Sequence, residues 1–227
     1  NAWMLMVLSM GFVFSTLPVQ LLLPIIGWRW IFGLIVVLIF LVIILTLLFI
    51  PRWKKEVNNY DEKNSGSLSD VWKSKFFRST IPLGLFNYGG MVAIQTLWAG
   101  PWMVRVADYA PLKSATGLFW INITMLVAFF IFGYILPKIT KLGFESMRLM
   151  KIGLPISYLS LLIIIILGEN AGALHFTIYL LTSIVLTLTQ PAVALSFPTS
   201  LAGKSLTSFN LLIFVGTFLM QWGIGLV

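Results

Sequence analysis

Seven apolar stretches, each long enough to cross a lipid bilayer as a helix, follow one another along this 227-residue chain. A helix needs about 20 mostly apolar residues to span the hydrocarbon core. The stretches cover residues 2–26, 31–50, 80–104, 114–136, 148–168, 174–198 and 206–227. They are continuous and lack the alternation of apolar and polar residues that is typical of a membrane β-barrel. The sequence therefore predicts an all-α polytopic membrane protein with about seven transmembrane helices.

The composition excludes several classes of protein. The chain is 59% hydrophobic and 10% charged, whereas a soluble domain is about 45–50% apolar and about 25% charged. A soluble enzyme, a nucleic-acid-binding domain and a disordered chain are therefore excluded. The absence of cysteine excludes thiol catalysis and cysteine-ligated metals. The single histidine, His175, has no partner at metal-ligand spacing, so neither a metal nor a cofactor is predicted.

The basic residues indicate which ends of the helices face the cytoplasm. The fifteen lysines and arginines divide twelve to three between alternate loops. Twelve lie in residues 51–79, in residues 137–151 and at Lys204, and the other three are Arg29, Arg105 and Lys113. Since cytoplasmic loops carry the excess of positive charge, the 51–79 loop and residue 1 are predicted to be cytoplasmic, and residue 227 external. The net charge of +8 then needs no nucleic-acid partner.

The 51–79 loop is the strongest candidate for a domain boundary. Its residues 54–70 are polar and read as a flexible linker. Residues 68–79 are predicted to form a short interfacial helix, because Trp72 and Phe76 are four residues apart and share a face. The cations of this segment are placed to meet anionic headgroups; they are Lys73, Lys75 and Arg78.

Polar and aromatic side chains gather on one face of the third predicted span. At about 100° per residue, Asn87, Tyr88, Gln95 and Trp98 fall within about a quarter of the helix circumference. Polar side chains at membrane depth usually face the bundle interior or a water-filled cavity. Two interpretations stay open for this face: a solute path, or hydrogen bonds between helices, each worth about 0.6 kcal/mol on average.

The sixth and seventh spans show a similar pattern. Gln190 lies on the polar face of the sixth span, and Pro191 is predicted to interrupt that helix at mid-depth. Asn210 shares a face with the other polar residues of the seventh span. By contrast, the second span is apolar all round and the fifth is nearly so. Polar-faced spans that alternate with apolar ones are typical of helices that line a path and helices that brace them from the lipid side.

Several local motifs, in this order and spacing, resemble the major facilitator superfamily of secondary transporters, from its fifth to its eleventh helix. The segment from Ser15 to Phe32 is similar to the fifth helix and its outer Gly-Trp-Arg turn. The segment from Gln95 to Tyr109 is similar to the outer end of helix seven in bacterial members. SLAGKSLTSFN is similar to the turn into helix eleven. GYILPKITKLG resembles the loop between helices eight and nine, but it has Pro137 where the family has an acidic residue. The first span also lacks the Gly-Pro-Gly-Gly pattern of many drug–proton antiporters.

The resemblance implies a division of the chain. Residues 1–50 correspond to the last two helices of the N-terminal six-helix bundle, 51–79 to the cytoplasmic linker, and 80–227 to five of the six helices of the C-terminal bundle. Helices one to four and helix twelve are then expected to lie outside this sequence. The protein is expected in the bacterial inner membrane.

The resemblance also implies transport of a small solute by alternating access rather than enzyme activity. The residues expected to bind the solute are Asn87, Tyr88, Gln95, Trp98, Gln190 and Asn210. A coupling ion such as H⁺ is a candidate partner, but the spans contain no Asp or Glu and His175 lies at a span edge. We therefore expect any proton-coupling group to lie in the first half of the protein.

Two other classes of membrane protein remain as alternatives. A seven-helix receptor or sensor fits the number of spans. However, a retinal pigment needs a lysine inside its last span, which is absent here, and an external residue 227 opposes the usual receptor orientation. A membrane-embedded enzyme would need a base or metal ligands within the spans, and the sequence offers none.

Overall fold

The computed structural model describes residues 2–50, 66–141 and 146–226, and the described residues form helices and connecting turns without a strand. The predicted all-α class is confirmed. The α-helices are α1 Ala2–Phe14, α2 Leu17–Phe49, α3 Leu68–Lys73, α4 Lys75–Pro82, α5 Gly89–Ala93, α6 Ala99–Arg105, α7 Pro111–Lys141, α8 Ser146–Leu167, α9 Ala173–Ser183, α10 Thr189–Leu195 and α11 Thr199–Gly225. Leu83–Tyr88 and Ile94–Trp98 are π-helical, and Gly168–Asn170 and Ile184–Leu188 are 3₁₀-helical. The flexible linker predicted at 54–70 lies mostly outside the described residues.

Five of the described helical segments are long and apolar enough to cross a membrane, where the sequence predicts seven spans. They are Met6–Phe49, Pro111–Leu136, Ser146–Asn170, Ala173–Leu195 and Thr199–Gly225. The difference has two causes. The first segment, of 44 residues, contains two predicted spans, and the predicted span 80–104 is divided among shorter helical pieces.

Two backbone breaks divide the long N-terminal segment. The first lies at Thr16, whose φ of −99° and ψ of −108° are not helical, just before the proline at the start of α2. The second lies at Gly27, with φ 73° and ψ 160°, a conformation that glycine adopts without steric cost. An unbroken helix of this length would measure about 66 Å, twice the bilayer core. The break at Gly27 falls where the sequence predicts the outer Gly-Trp-Arg turn.

The third predicted span is a helical run over residues 75–105 that two π-helical segments interrupt. A π-turn inserts an extra residue into the helix, so side chains beyond it are rotated relative to a regular α-helix. The uniform spacing of 100° per residue is therefore wrong for this span. Asn87 and Gln95 consequently face different neighbours, as described below.

The sixth predicted span departs from a regular α-helix before Pro191 rather than at it, because Gln190 and Pro191 themselves lie inside the helix α10. Ile184–Leu188 tightens into a 3₁₀ segment between α9 and α10. Because proline has no backbone N–H, Pro191 cannot bond to the carbonyl four residues earlier, at Thr187. The 3₁₀ segment ends just before the α10 turn that carries this proline.

The packing of the helices separates exposed from buried elements. α1 packs along α7, α8 along α9, and α11 against residues 83–93 and α10. α2 has no buried residue, which fits the lipid-facing role predicted for the second span. α8 is not wholly peripheral, because Ser157 is buried and its hydroxyl lies 2.6 Å from that of Ser183 on α9.

The contact between α5 and α11 is a close approach of two backbones. A Cβ added at Gly89 would lie 2.7 Å from the backbone of Gly216 and Thr217, and one added at Gly216 would overlap the backbone of Leu85. Small residues let membrane helices approach in this way. The two glycines therefore fix α11 against the third predicted span.

The predicted orientation can be tested by single cysteines, because the chain has none of its own. Ser69 and Asn170 are both exposed and fall on opposite sides in the charge-based topology. In intact cells, an impermeant thiol reagent is expected to label Asn170→Cys, and Ser69→Cys only after the membrane is opened. Labelling of both variants in intact cells would contradict the topology.

Candidate functional site

Two of the predicted site residues form a hydrogen-bonded pair of side-chain amides between adjacent helices. Gln190 of α10 donates from Nε2 to Oδ1 of Asn210 on α11, at 2.7 Å. Both side chains are only partly buried. We call this contact the Gln190 pair. α10 presents Gln190 next to Pro191, and the packing of α10 on α11 brings Asn210 opposite to it.

A second amide pair joins the third predicted span to α7. Gln95 donates from Nε2 to Oδ1 of Asn122, at 3.3 Å; we call this contact the Gln95 pair. The adjacent residue, Thr96, accepts a hydrogen bond of 3.1 Å from Nε2 of Gln221 on α11. Amide and hydroxyl groups from three helices therefore meet at this level.

The two pairs lie at different depths along α11. Asn210 and Gln221 are eleven residues apart, which corresponds to about 16 Å along the helix axis. Thr217 lies between them on the same edge of α11, within about 40° of both. All three side chains are partly buried. α11 thus carries a polar edge that connects the level of the Gln190 pair with the level of the Gln95 pair.

Asn87 and Tyr88 lie apart from these pairs. Asn87 lines a cavity of about 210 Å³ between the third predicted span, α8, the 173–188 segment and the C-terminal end of α11. The cavity wall also contains Ser157, Tyr179 and Met220. Tyr88 is 6% exposed and packs within the hydrophobic core. The structure therefore does not bring all six predicted residues into one cluster.

The two tryptophans of the third predicted span differ in their contacts. The indole nitrogen of Trp98 is buried and has no hydrogen-bond partner among the described residues. Its ring lies beside Gly225, where an added Cβ would be 3.4 Å away. Trp102 instead donates to the carbonyl of Ala171 at 3.2 Å and packs edge-on against Phe176. Trp102 is thus a packing residue, whereas Trp98 retains a free donor.

The site predicted from the sequence does not include Asn122, Thr96 or Gln221. Asn122 is 5% exposed on α7, and a buried amide requires a hydrogen-bond partner. That requirement was the available signal, but the identity of the partner depends on the π-helical register of the third predicted span. The bonds found for Gln95 and Gln190 show that both amides connect helices.

The ionisable groups provide no cluster that could hold a metal within the described ranges. Groups of three or more His, Asp or Glu that could hold a metal are absent there. His175 accepts a hydrogen bond of 3.2 Å at Nδ1 from the backbone N–H of Gly172 and so caps α9. Arg105 is exposed at the end of α6.

The comparison with protein families gives a match over almost the whole chain. The family model described as the Major Facilitator Superfamily matches residues 1–220. No curated protein and no solved structure matches the chain. The family match agrees with the apolar helices of the structure. On this evidence the chain belongs to the major facilitator superfamily and is an integral membrane protein of a transporter family.

Proposed function

We propose that the protein moves a small polar solute across the membrane by alternating access, with the Gln190 pair and the Gln95 pair as solute contacts at two depths. The observation that carries this proposal is the polar edge of α11, which connects the two pairs over about 16 Å. Residues 1–50 and 80–227 belong to two bundles that rock against each other, and 51–79 tethers them. In this proposal the packing of α1 along α7 is the interface across which the two bundles move.

The chemistry of the pairs suits binding and release. A side-chain amide offers both donors and acceptors without a net charge. Hydrogen bonds between membrane helices are worth about 0.6 kcal/mol on average, so a solute that carries donors and acceptors can replace one at little cost. Gln190 and Asn210 then turn from each other to the solute, and return to each other when it leaves.

Trp98 supplies a second kind of contact in this proposal. Its buried indole N–H lacks a protein acceptor among the described residues, and a ring of this size offers a flat apolar face beside a polar edge. Asn87 and Tyr88 contribute less directly, because Asn87 faces the cavity near α8 and Tyr88 is packed in the core. The solute class that fits is polar and uncharged.

The proposal also covers the coupling ion and the membrane in which the protein lies. The described acidic residues Asp70, Asp108 and Glu169 lie at helix ends or in connections, so a coupling ion such as H⁺ binds outside the described spans. The likeness of the segment from Gln95 to Tyr109 to bacterial members supports a location in the bacterial inner membrane.

Solute binding followed by counterflow tests this proposal. Small polar solutes are screened for those that raise the melting temperature of the purified full-length protein, since a ligand that binds the folded state stabilises it. Each hit is then loaded into proteoliposomes. We expect at least one hit to drive uptake of its own labelled form. Binding without counterflow would instead support a receptor or sensor, which is the alternative from another class.

A further inference from the structure

The segment 66–82, which we call the strap, packs against α11 and does not lie at the membrane surface on its own. Val71 and Phe77 are fully buried, and the ring of Phe77 lies 5.1 Å from that of Trp72 and 6.5 Å from that of Phe197. Nζ of Lys204 on α11 donates to the carbonyl of Gly66 at 2.7 Å. The single interfacial helix predicted at 68–79 is wrong in detail, because Ser74 (φ −60°, ψ 127°) divides it into α3 and α4.

The strap presents three cations on its outer surface. Lys73, Lys75 and Arg78 are exposed. On α4, Lys75 and Arg78 are three residues apart and share a face, opposite the buried Phe77 and Thr80. The helix is therefore amphipathic, with its cations directed away from the core.

Among the described residues, no carboxylate forms a salt bridge with these cations. The carboxylate of Asp70, the acidic residue of the strap, instead accepts a 2.6 Å bond from the backbone N–H of Ser67 in a capping box. Three exposed positive charges within six residues are thus uncompensated by the described part of the protein.

We propose that Lys73, Lys75 and Arg78 form a binding surface for the phosphate-bearing headgroup of an anionic phospholipid in the cytoplasmic leaflet. The charge pattern of the loops places the strap on that side. Clusters of basic residues next to a membrane helix attract anionic lipids, and each Lys or Arg adds to the affinity. Partly buried Trp72 and Phe76 lie among the cations, at the level where aromatic side chains meet headgroups.

The contacts between the strap and α11 allow a lipid that is bound to the strap to affect α11. Gly66 is held by Lys204 and packs on Leu201, since a Cβ at Gly66 would lie 2.8 Å from that side chain. Lys204 precedes Asn210 by about 1.7 helical turns. A bound lipid therefore steadies the end of the helix that carries the polar edge. This consequence rests on the proposed transport function, whereas lipid binding itself does not.

Lipid binding to the full-length protein provides the test. The purified protein is titrated with phosphatidylglycerol, and bound lipid is counted by native mass spectrometry. We expect the Lys73→Gln/Lys75→Gln/Arg78→Gln variant to bind phosphatidylglycerol at least about tenfold more weakly. A matched control, Arg29→Gln/Arg105→Gln/Lys113→Gln, removes the same charge from exposed positions on the predicted external side and should bind as the unaltered protein does.

Further measurements distinguish a requirement for positive charge from a requirement for particular side chains, and binding of a lipid from binding of free inorganic phosphate. The charge-preserving variant Lys73→Arg/Lys75→Arg/Arg78→Lys is expected to keep its affinity for phosphatidylglycerol. Excess inorganic phosphate is expected to leave that affinity unchanged, and phosphatidylcholine is expected to bind both triple variants equally. Equal phosphatidylglycerol binding by the two charge-removing variants, loss of binding in the charge-preserving variant, or displacement by inorganic phosphate would each overturn the proposal.

Discussion

Replacing Gln190 with alanine is expected to lower the transport rate at least about tenfold, measured as counterflow of the solute identified by the binding screen. The substitution removes the donor of the 2.7 Å bond to Asn210. It also removes the amide donor and acceptor that Gln190 offers to the solute, and an unpaired polar group of the solute costs about 1–3 kcal/mol in the occluded state, where water is excluded. About 1.4 kcal/mol corresponds to a factor of ten in rate. Because the site is partly open, the folded protein should still reach the membrane.

Two comparisons show whether the effect belongs to the pair. Thr46→Ala removes a polar group from α2, where the side chain is exposed, and should change the rate less than about twofold. The double variant Gln190→Ala/Asn210→Ala should lose little more of the transport rate than Gln190→Ala alone, because the effects of substitutions at contacting residues are not additive. If Gln190→Ala lowers the melting temperature but transports at the normal rate, the pair is structural packing only.

Replacing Gly216 with alanine is expected to destabilise the protein strongly. The added Cβ would overlap the backbone of Leu85, and a backbone cannot move aside as a side chain can. Overpacking of this kind typically costs about 1–3 kcal/mol. The measurement is the melting temperature of the purified protein in detergent, together with the yield of folded protein from the membrane.

Gly203→Ala is the matched control for this substitution. Gly203 lies on the same helix and is exposed, and an added Cβ would meet nothing within 4 Å. Alanine favours a helix over glycine by about 1 kcal/mol, so this variant should be as stable as the original protein or more so. Equal stability of the two variants would contradict the close approach of α11 to the backbone at Leu85.

The sequence predicts the helical class and the family features well, because they depend on composition and on residues with strong local effects. Apolar runs of about 20 residues need no tertiary information to indicate membrane helices. Gly27 marks a break because it adopts a positive φ, and Pro191, which lacks a backbone N–H, follows a 3₁₀ segment. These effects act within a few residues of the position that causes them.

The arrangement of the candidate site was harder to predict, because it depends on helix register. Leu83–Tyr88 and Ile94–Trp98 are π-helical. A sequence pattern of period 3.6 does not indicate where a π-turn inserts an extra residue. The rotation that follows separates Asn87 from Gln95 and brings Gln95 to Asn122. Ser74 is a similar case, since its extended backbone assigns Trp72 and Phe76 to different helices.

Accessibility of Thr217 from the two sides of the membrane tests the central claim most directly. Thr217 lies between the two amide pairs on the polar edge of α11, and its hydroxyl donates to the carbonyl of Ile213 within the same helix. In right-side-out and in inside-out vesicles, a charged thiol reagent is expected to label Thr217→Cys, because alternating access opens this depth to each side in turn. Leu162→Cys, at an exposed position on α8, should remain unlabelled in both. Failure to label Thr217→Cys from one side or from both would contradict a path along α11.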